Sequence, residues 1–205
     1  PVFETEAPAP ISPYGTSKLM TEWMLRDTHA AHGLDYVALR YFNVAGADPK
    51  GRCGQSTPRA THLIKVACQT ALGQRQSMDI FGTDYDTPDG TCLRDYIHVS
   101  DLIAAHMKAL THLRRGGESG IFNCGYGKGY SVLDVIKAVE RVNGAALPVN
   151  FVARRERAKR APHRPVFIRG CGEHLAVKSP SQAKDLLATP VDDAEEAVEA
   201  GDFHH

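Results

Sequence analysis

The chain has 205 residues, with 24 Lys+Arg against 24 Asp+Glu and a formal net charge of zero. At 42% hydrophobic and 23% charged it can bury a sizeable core, and it lacks the basic excess of a nucleic-acid binder. No apolar run reaches the ~18–20 residues of a membrane-spanning helix, and the opening PVFETEAPAP lacks the basic-then-apolar order of a signal peptide.

The chain opens on Pro1 rather than Met, which reads as a processed, internal or truncated start. Its five cysteines (Cys53, Cys68, Cys92, Cys124 and Cys171) are odd in number and form no C-x-x-C pair. They read as free thiols of a reducing cytoplasm rather than a disulfide framework or a zinc site.

In chain order, a Pro-rich arm to Ser12 leads into a helix over 14–32, with Pro13 allowed in its first turn and Gly33 as its stop. Leu19 with Trp23, and Met20 with Met24, recur there at helical spacing. The run YVALRYF, 36–42, reads as a buried strand. Residues 43–58 read as a long loop, of the kind that often carries function. A helix over 62–72 and a short strand over 78–81 follow, then the turn-rich GTDYDTPDG, a strand over 95–99, and a helix over 101–113 with Ser100 as its N-cap. A strand over 121–124 precedes a helix opened by the capping box of Ser131 and Asp134, and 149–152 is a last strand.

Alternating strands and helices predict an α/β fold. After Ala153 the character changes. Residues 154–169 hold seven Lys or Arg against Glu156 alone, and 192–202 hold six acids and no base. The basic stretch lacks the interleaved aromatics of an RNA site and reads as solvated.

The sharpest chemical signal is Tyr14-Gly-Thr-Ser-Lys18. Residues four apart on a helix share a face, so phenol and ammonium lie side by side. A phenol ionises near pH 10, and a cation ~5 Å away at an effective dielectric of ~20 stabilises the phenolate by ~3 kcal/mol. Taken alone this spacing is common. Gly125-Tyr-Gly127-Lys-Gly129 imitates a dinucleotide loop, but Tyr130 stands where the third glycine belongs. His98 and His106, eight apart with no third ligand at zinc spacing, read as structural.

Four segments change the weight of that signal. SPYGTSKLMTE, LRYFNVAGAD, IFGTDYDTPDGTCLRDYIHVSDL and FNCGYGKGYSVLDVI occur in this order, and together they resemble the UDP-glucose 4-epimerases of the extended short-chain dehydrogenase/reductase family. The resemblance runs from about Ser12 to Arg155. It implies a partial Rossmann-type NAD-binding fold, its N-terminal half missing, joined to a smaller sugar-nucleotide-binding α/β domain. It makes Tyr14 the catalytic base and Lys18 its partner, which also binds the nicotinamide ribose of NAD. Tyr41 and Phe42 match the strand end beside the nicotinamide. Asn43 matches a residue that bonds the sugar nucleotide, and His62 and Leu63 match the turn on its diphosphate. Asp79, Ile80 and Phe81 match the backbone edge that holds the uracil. Arg94 and Arg155 match two arginines on the diphosphate and ribose. The planar fork of arginine suits phosphate oxygens; without the family context Arg94, beside Asp95, reads as half of a surface ion pair.

The implied reaction interconverts UDP-glucose and UDP-galactose through a transient 4-keto sugar with tightly held NAD, in a cytoplasmic homodimer. The implied partner is a UDP-hexose, with no nucleic acid and no membrane. Two departures from the family stand out. No glycine-rich strand–loop–helix precedes Tyr14, and the segment after Arg155 diverges, so residues 1–157 read as the catalytic-helix and substrate portion and 158–205 as a divergent tail. The alternatives are a non-catalytic remnant that binds UDP-sugar weakly, and epimerisation of a related sugar such as UDP-N-acetylglucosamine. The chain alone is expected to be inactive.

Overall fold

The computed structural model describes residues 2–57 and 61–154. Arg155 and the tail expected over 158–205 lie outside the described residues.

The first helix, α1 (Pro13–His32), is capped by the Ser12 hydroxyl, which accepts from the Gly15 amide, and it stops at Gly33 in the left-handed region, φ 67°. This start and stop follow the signals in the sequence. The buried face does not. The half-buried stripe of α1 is Gly15, Leu19, Glu22, Leu25, Thr28 and His29, whereas Met20, Trp23 and Met24 are exposed, and no residue of the helix is fully buried.

Strand β1 (Val37–Tyr41) follows α1, and β5 (Gly120–Cys124) pairs with it in parallel, Arg40 opposite Asn123 and Tyr41 opposite Cys124. Between them lie β2 (Asn43–Ala45), α2 (Leu63–Ala71), β3 (Met78–Phe81), β4 (Leu93–His98) and α3 (Val99–Arg114). After β5 come β6 (Gly129–Ser131), α4 (Val132–Asn143) and β7 (Val149–Val152). The alternation predicted as α/β is thus realised, with three parallel pairings: β1 with β5, β2 with β4, and β3 with β7.

Two differences from the sequence reading concern the shortest strands. Asn43–Ala45 is not loop but a strand bonded to β4, and Gly129–Ser131 pairs antiparallel to the other edge of β4. Three residues are too few to show a period, and only the tertiary partner makes them strands. A third difference is a cap. Ser100 is not the N-cap of α3; His98 is, and its Nδ1 accepts from the Ser100 amide at 3.1 Å. Ser131 and Asp134 do form the predicted capping box on α4.

The largest apolar core lies between α2, α4, β3 and β7. Ala67, Met78, Ile80, Ile136, Val139 and Leu147 are buried there, with Leu63, Val66 and Val149 packed against them. A second core joins Ile97, Leu102, Ala105 and Cys124, and a third joins Ala45, Tyr96 and Val135. Gly82 follows β3 at φ 85°, and a Cβ there would meet Arg154 Cγ at 2.5 Å and Tyr85 Cε2 at 2.6 Å. The turn out of β3 therefore needs glycine for both backbone and space.

Ile80→Ala is expected to lower unfolding stability by about 2–5 kcal/mol through lost transfer energy and a cavity. Ile103→Ala, on the exposed side of α3, is expected to stay within about 0.5 kcal/mol. Urea titration followed by far-ultraviolet circular dichroism compares the two.

Candidate functional site

Strand β4 sets the frame of the site. Its neighbours Arg94 and Asp95 point to opposite faces, Arg94 exposed and Asp95 only 2% exposed, so the alternative of a surface ion pair between them does not describe this strand. Arg94 Nη1 donates to its neighbour's carbonyl at Leu93 and to Cys92 Sγ. Asn43 stands opposite Tyr96 in the β2–β4 register, and its Nδ2 donates to the Asp95 carbonyl at 3.0 Å. Burial pushes the Tyr96 phenol up to about 12, with the Arg94 charge acting against it.

His62 and Leu63 open α2. The exposed His62 is the N-cap but makes no side-chain cap bond, and the first turn carries no acid. Leu63 packs on the cluster of Ala45, Tyr96 and Val135, which seats this helix start beside β2 and β4. The leading amides of a helix favour an anion. Asn43, Arg94, His62 and Leu63 are therefore gathered around one strand.

Tyr14 and Lys18 come together on α1, with Lys18 Nζ 5.1 Å from the centre of the Tyr14 ring. Tyr14 is 72% exposed at the helix start. An open groove of about 600 Å³ runs along Pro10–Pro13, Thr16, Ser17 and Met20, the neighbouring side of α1. Tyr41 and Phe42, 46% and 41% exposed, stand at the carboxyl end of β1, and His106 of α3 meets the Tyr41 ring edge-on at 6.3 Å. The carboxyl ends of parallel strands are where α/β sheets receive dinucleotides. Two half-exposed rings at such a strand end, and an ammonium beside a phenol on α1, are chemically suited to a nicotinamide and a ribose. Nothing among the described residues offers the glycine-rich turn that would take its pyrophosphate.

Asp79, Ile80 and Phe81 lie apart from this group, on the β3–β7 pair. Ile80 is buried in the main core, while Asp79 and Phe81 face outward, and Asp79 Oδ1 accepts from Asn150 Nδ2 at 3.1 Å. Arg155 is not described. Its neighbour Arg154 bonds Asp84 at 2.5 Å and lies 3.9 Å from the centre of the Tyr85 ring, clamping the turn after β3 to the end of β7.

Three arrangements were not legible to motif reading. Arg154 with Tyr85 and Asp84 is one. Another is the Tyr126 hydroxyl, which donates to buried Asp101 and accepts from the His98 amide at 3.1 Å; burial, foremost, and then the Asp101 bond hold that phenol far above its usual range. The third is a two-pronged pair. Arg40 Nε and Nη2 each donate at 2.6 Å to an oxygen of Glu22, and this bond raises the arginine above its ordinary value. The signal for it was a lone charge inside the apolar run VALRYF, since a charge there requires a partner. Among the described residues no group of three or more His, Cys, Asp or Glu is placed to hold a metal ion, and no helix is long and apolar enough to cross a membrane.

The pattern of the NAD dependent epimerase/dehydratase family matches residues 1–125, and the chain belongs to that family. A UDP-glucose 4-epimerase of Azospirillum brasilense is 66% identical over 155 residues, 76% of this chain and 44% of that protein. A UDP-glucose 4-epimerase of Brucella ovis, solved in complex with NAD, superposes with a TM-score of 0.74 at 47% identity, over 76% of this chain and 48% of that one. A Stenotrophomonas maltophila UDP-glucose-4-epimerase, solved with NAD and a formylated UDP-arabinopyranose, reaches 0.81 at 32% identity, over 98% of this chain and 60% of that one. The chain thus spans about half the length of these relatives.

The buried Tyr96 phenol stays neutral in the fold while the unfolded chain ionises it near pH 10. Its contribution is therefore whole below pH 10 and is lost as the pH rises towards about 12. Stability is expected to fall across that window, and Tyr96→Phe to flatten the fall by about 2 kcal/mol. Urea midpoints measured from pH 9 to 12 in both proteins test the difference.

Proposed function

We propose that this chain is the tyrosine–lysine and sugar-nucleotide portion of a UDP-glucose 4-epimerase, interconverting UDP-glucose and UDP-galactose with tightly held NAD. The observation that carries the reading is the Lys18 ammonium 5.1 Å from the exposed Tyr14 ring, in a chain 66% identical over 155 residues to a named epimerase.

Bound NAD supplies a hydride acceptor that becomes the donor on the return step. Tyr14, as phenolate, takes the proton from the hexose 4-hydroxyl as C4 is oxidised to the ketone, and gives it back when C4 is reduced from its other face. Lys18 stabilises the phenolate by its charge and binds the nicotinamide ribose. Tyr41 and Phe42 flank the nicotinamide. Asn43 bonds the sugar nucleotide; its Nδ2 is held by the Asp95 carbonyl, so its Oδ1 is the acceptor a hydroxyl would meet. Arg94 and Arg155 take the diphosphate and ribose, helped by the amides at His62 and Leu63. The edge at Asp79, Ile80 and Phe81 takes the uracil. A cytoplasmic location and a homodimer accompany this reading and rest on the family resemblance.

The 205-residue chain by itself is proposed to turn over no UDP-galactose, because its sequence holds no glycine-rich strand–loop–helix to bring the nicotinamide within about 3–3.5 Å of C4. It would then behave as the remnant that binds UDP-sugar weakly.

Joining the chain in frame behind the front half of the Azospirillum relative is expected to give UDP-glucose from UDP-galactose. Tyr14→Phe is expected to remove that turnover by a factor of about 100 or more. Undiminished turnover in Tyr14→Phe overturns the assignment of the base, and turnover by the 205-residue chain alone overturns its inactivity.

A further inference from the structure

The helix that carries Tyr14 and Lys18 has no fully buried residue. Beside its half-buried Leu19 and Leu25, the helix makes directional polar contacts with the body of the protein at two places. Near its C-terminal end, His29 Nδ1 lies 3.0 Å from the Leu34 carbonyl and 3.4 Å from Ser119 Oγ, with the Tyr36 ring at 6.0 Å. In the middle of the half-buried stripe stands Glu22, whose two oxygens take both prongs of Arg40. The pair is largely shielded, with the two side chains 28% and 15% exposed for Arg40 and Glu22. Beside the exposed contact of His29 Nδ1 with Asp35 at 3.5 Å, Arg26 with Asp27 is an exposed pair of neighbours in sequence and ties α1 to nothing.

We infer that Glu22 and Arg40 are the positioning pair for Tyr14 and Lys18, fixing the rotation of α1 against β1. Tyr14, Lys18 and Glu22 follow at intervals of four residues, so Glu22 stands about 12 Å along the axis from Tyr14 and about 80° round it. Arg40 is rooted in β1, one residue before Tyr41 and two before Phe42. Its opposite residue in β5, Asn123, also anchors the N-terminal arm, donating to Glu4 Oε1 at 2.7 Å and to the Val2 carbonyl at 3.0 Å. Glu4 adds to the negative field on Arg40. The fork therefore refers the tyrosine–lysine helix to the strand whose end carries the two rings. Two parallel N–H···O bonds resist twisting in a way that one point contact does not. The phenol oxygen of a helical tyrosine lies about 9 Å from the axis, so a rotation of about 10° displaces it by about 1.5 Å. Displacements of that size lower a rate by about 100-fold.

The inference takes its chemical meaning from the proposed function, but its test needs no turnover. The test uses the full 205-residue chain, whose only tryptophan, Trp23, follows Glu22 directly. Fluorine resonance of 5-fluorotryptophan at Trp23 reports the setting of α1, and amide exchange compares residues 17–28 with residues 133–142 of α4. Glu22→Gln and Arg40→Lys, which keep shape and charge respectively while losing the charged fork, are each expected to speed α1 exchange at least tenfold and to broaden or shift the Trp23 resonance. Exchange in α4 is expected to stay within twofold. Arg26→Gln, removing the exposed pair of the same helix, is expected to leave both readouts as they are. Unchanged α1 exchange in Glu22→Gln, full protection retained in Arg40→Lys, or a parallel rise in α4 would each overturn the inference. The last would mark the pair as support for the whole fold.

Discussion

Strand β4 is bonded on both edges, to β2 in parallel and to β6 antiparallel, and the candidate site is built outward from it. Successive side chains of a strand point to opposite faces. Here that alternation divides the work of three consecutive residues. Asp95 is buried beside Gly125, where an added Cβ would approach its carboxylate to 3.0 Å. Tyr96 enters the cluster with Ala45 and Val135, and Ile97 enters the cluster with Leu102, Ala105 and Cys124. One strand therefore joins the packing of α3 and β5 to that of α2 and α4. Arg94, pointing the other way from Asp95, is left at the surface, its Nη1 bonded to the Leu93 carbonyl and Cys92 Sγ.

The polar groups around β4 follow from the same placement. Asp89 accepts from the Thr91 amide and hydroxyl at 2.8 Å and from the Ser131 hydroxyl at 2.5 Å, so the turn before β4 is bonded to the start of α4. Burial opposes the Asp89 carboxylate, but these bonds outweigh it and hold its titration below the ordinary range. Thr91 is fully buried, and its hydroxyl is satisfied by Asp89. Such a network rigidifies because each buried member has its partner, and a half-satisfied one would instead destabilise. The long segment TDYDTPDG is thereby ordered at both ends, by Arg154 at the β3 side and by Asp89 at the β4 side.

What the sequence made legible depended on how local the cause was. Gly33 as a stop, the Ser131–Asp134 box and the β3 strand MDIF are decided within a few residues, and each appears where the pattern placed it. The pairing of Tyr14 with Lys18 is also local, since four residues of helix suffice. The strands β2 and β6 and the His98 cap are not, because their hydrogen bonds come from partners far along the chain or from a side chain outside the usual capping set. The inward stripe of α1 misled for a physical reason. Leu19, Met20, Trp23 and Met24 suggest an apolar face, yet the stripe that meets the body carries Glu22, whose burial is compensated only by Arg40 eighteen residues later. Periodicity of hydrophobic residues registers oil and misses an ion pair.

The contrast between the two sides of the molecule bears on how a tyrosine–lysine helix should be held. Around Ile80 and Ile136, apolar burial is continuous, and that interaction is strong but tolerant of small rotations, because it has no direction. On α1 the apolar residues Met20, Trp23 and Met24 remain exposed and no residue is fully buried, so little of the helix is fastened by burial. A helix so fastened belongs to the low end of the local stability scale, where opening is frequent. Directional bonds answer that weakness differently from extra apolar contact. They add less total stabilisation, but they specify an angle, and an angle is what the proton transfer proposed for Tyr14 would require. The half-buried fork of Glu22 and Arg40 supplies that angle where the core supplies none.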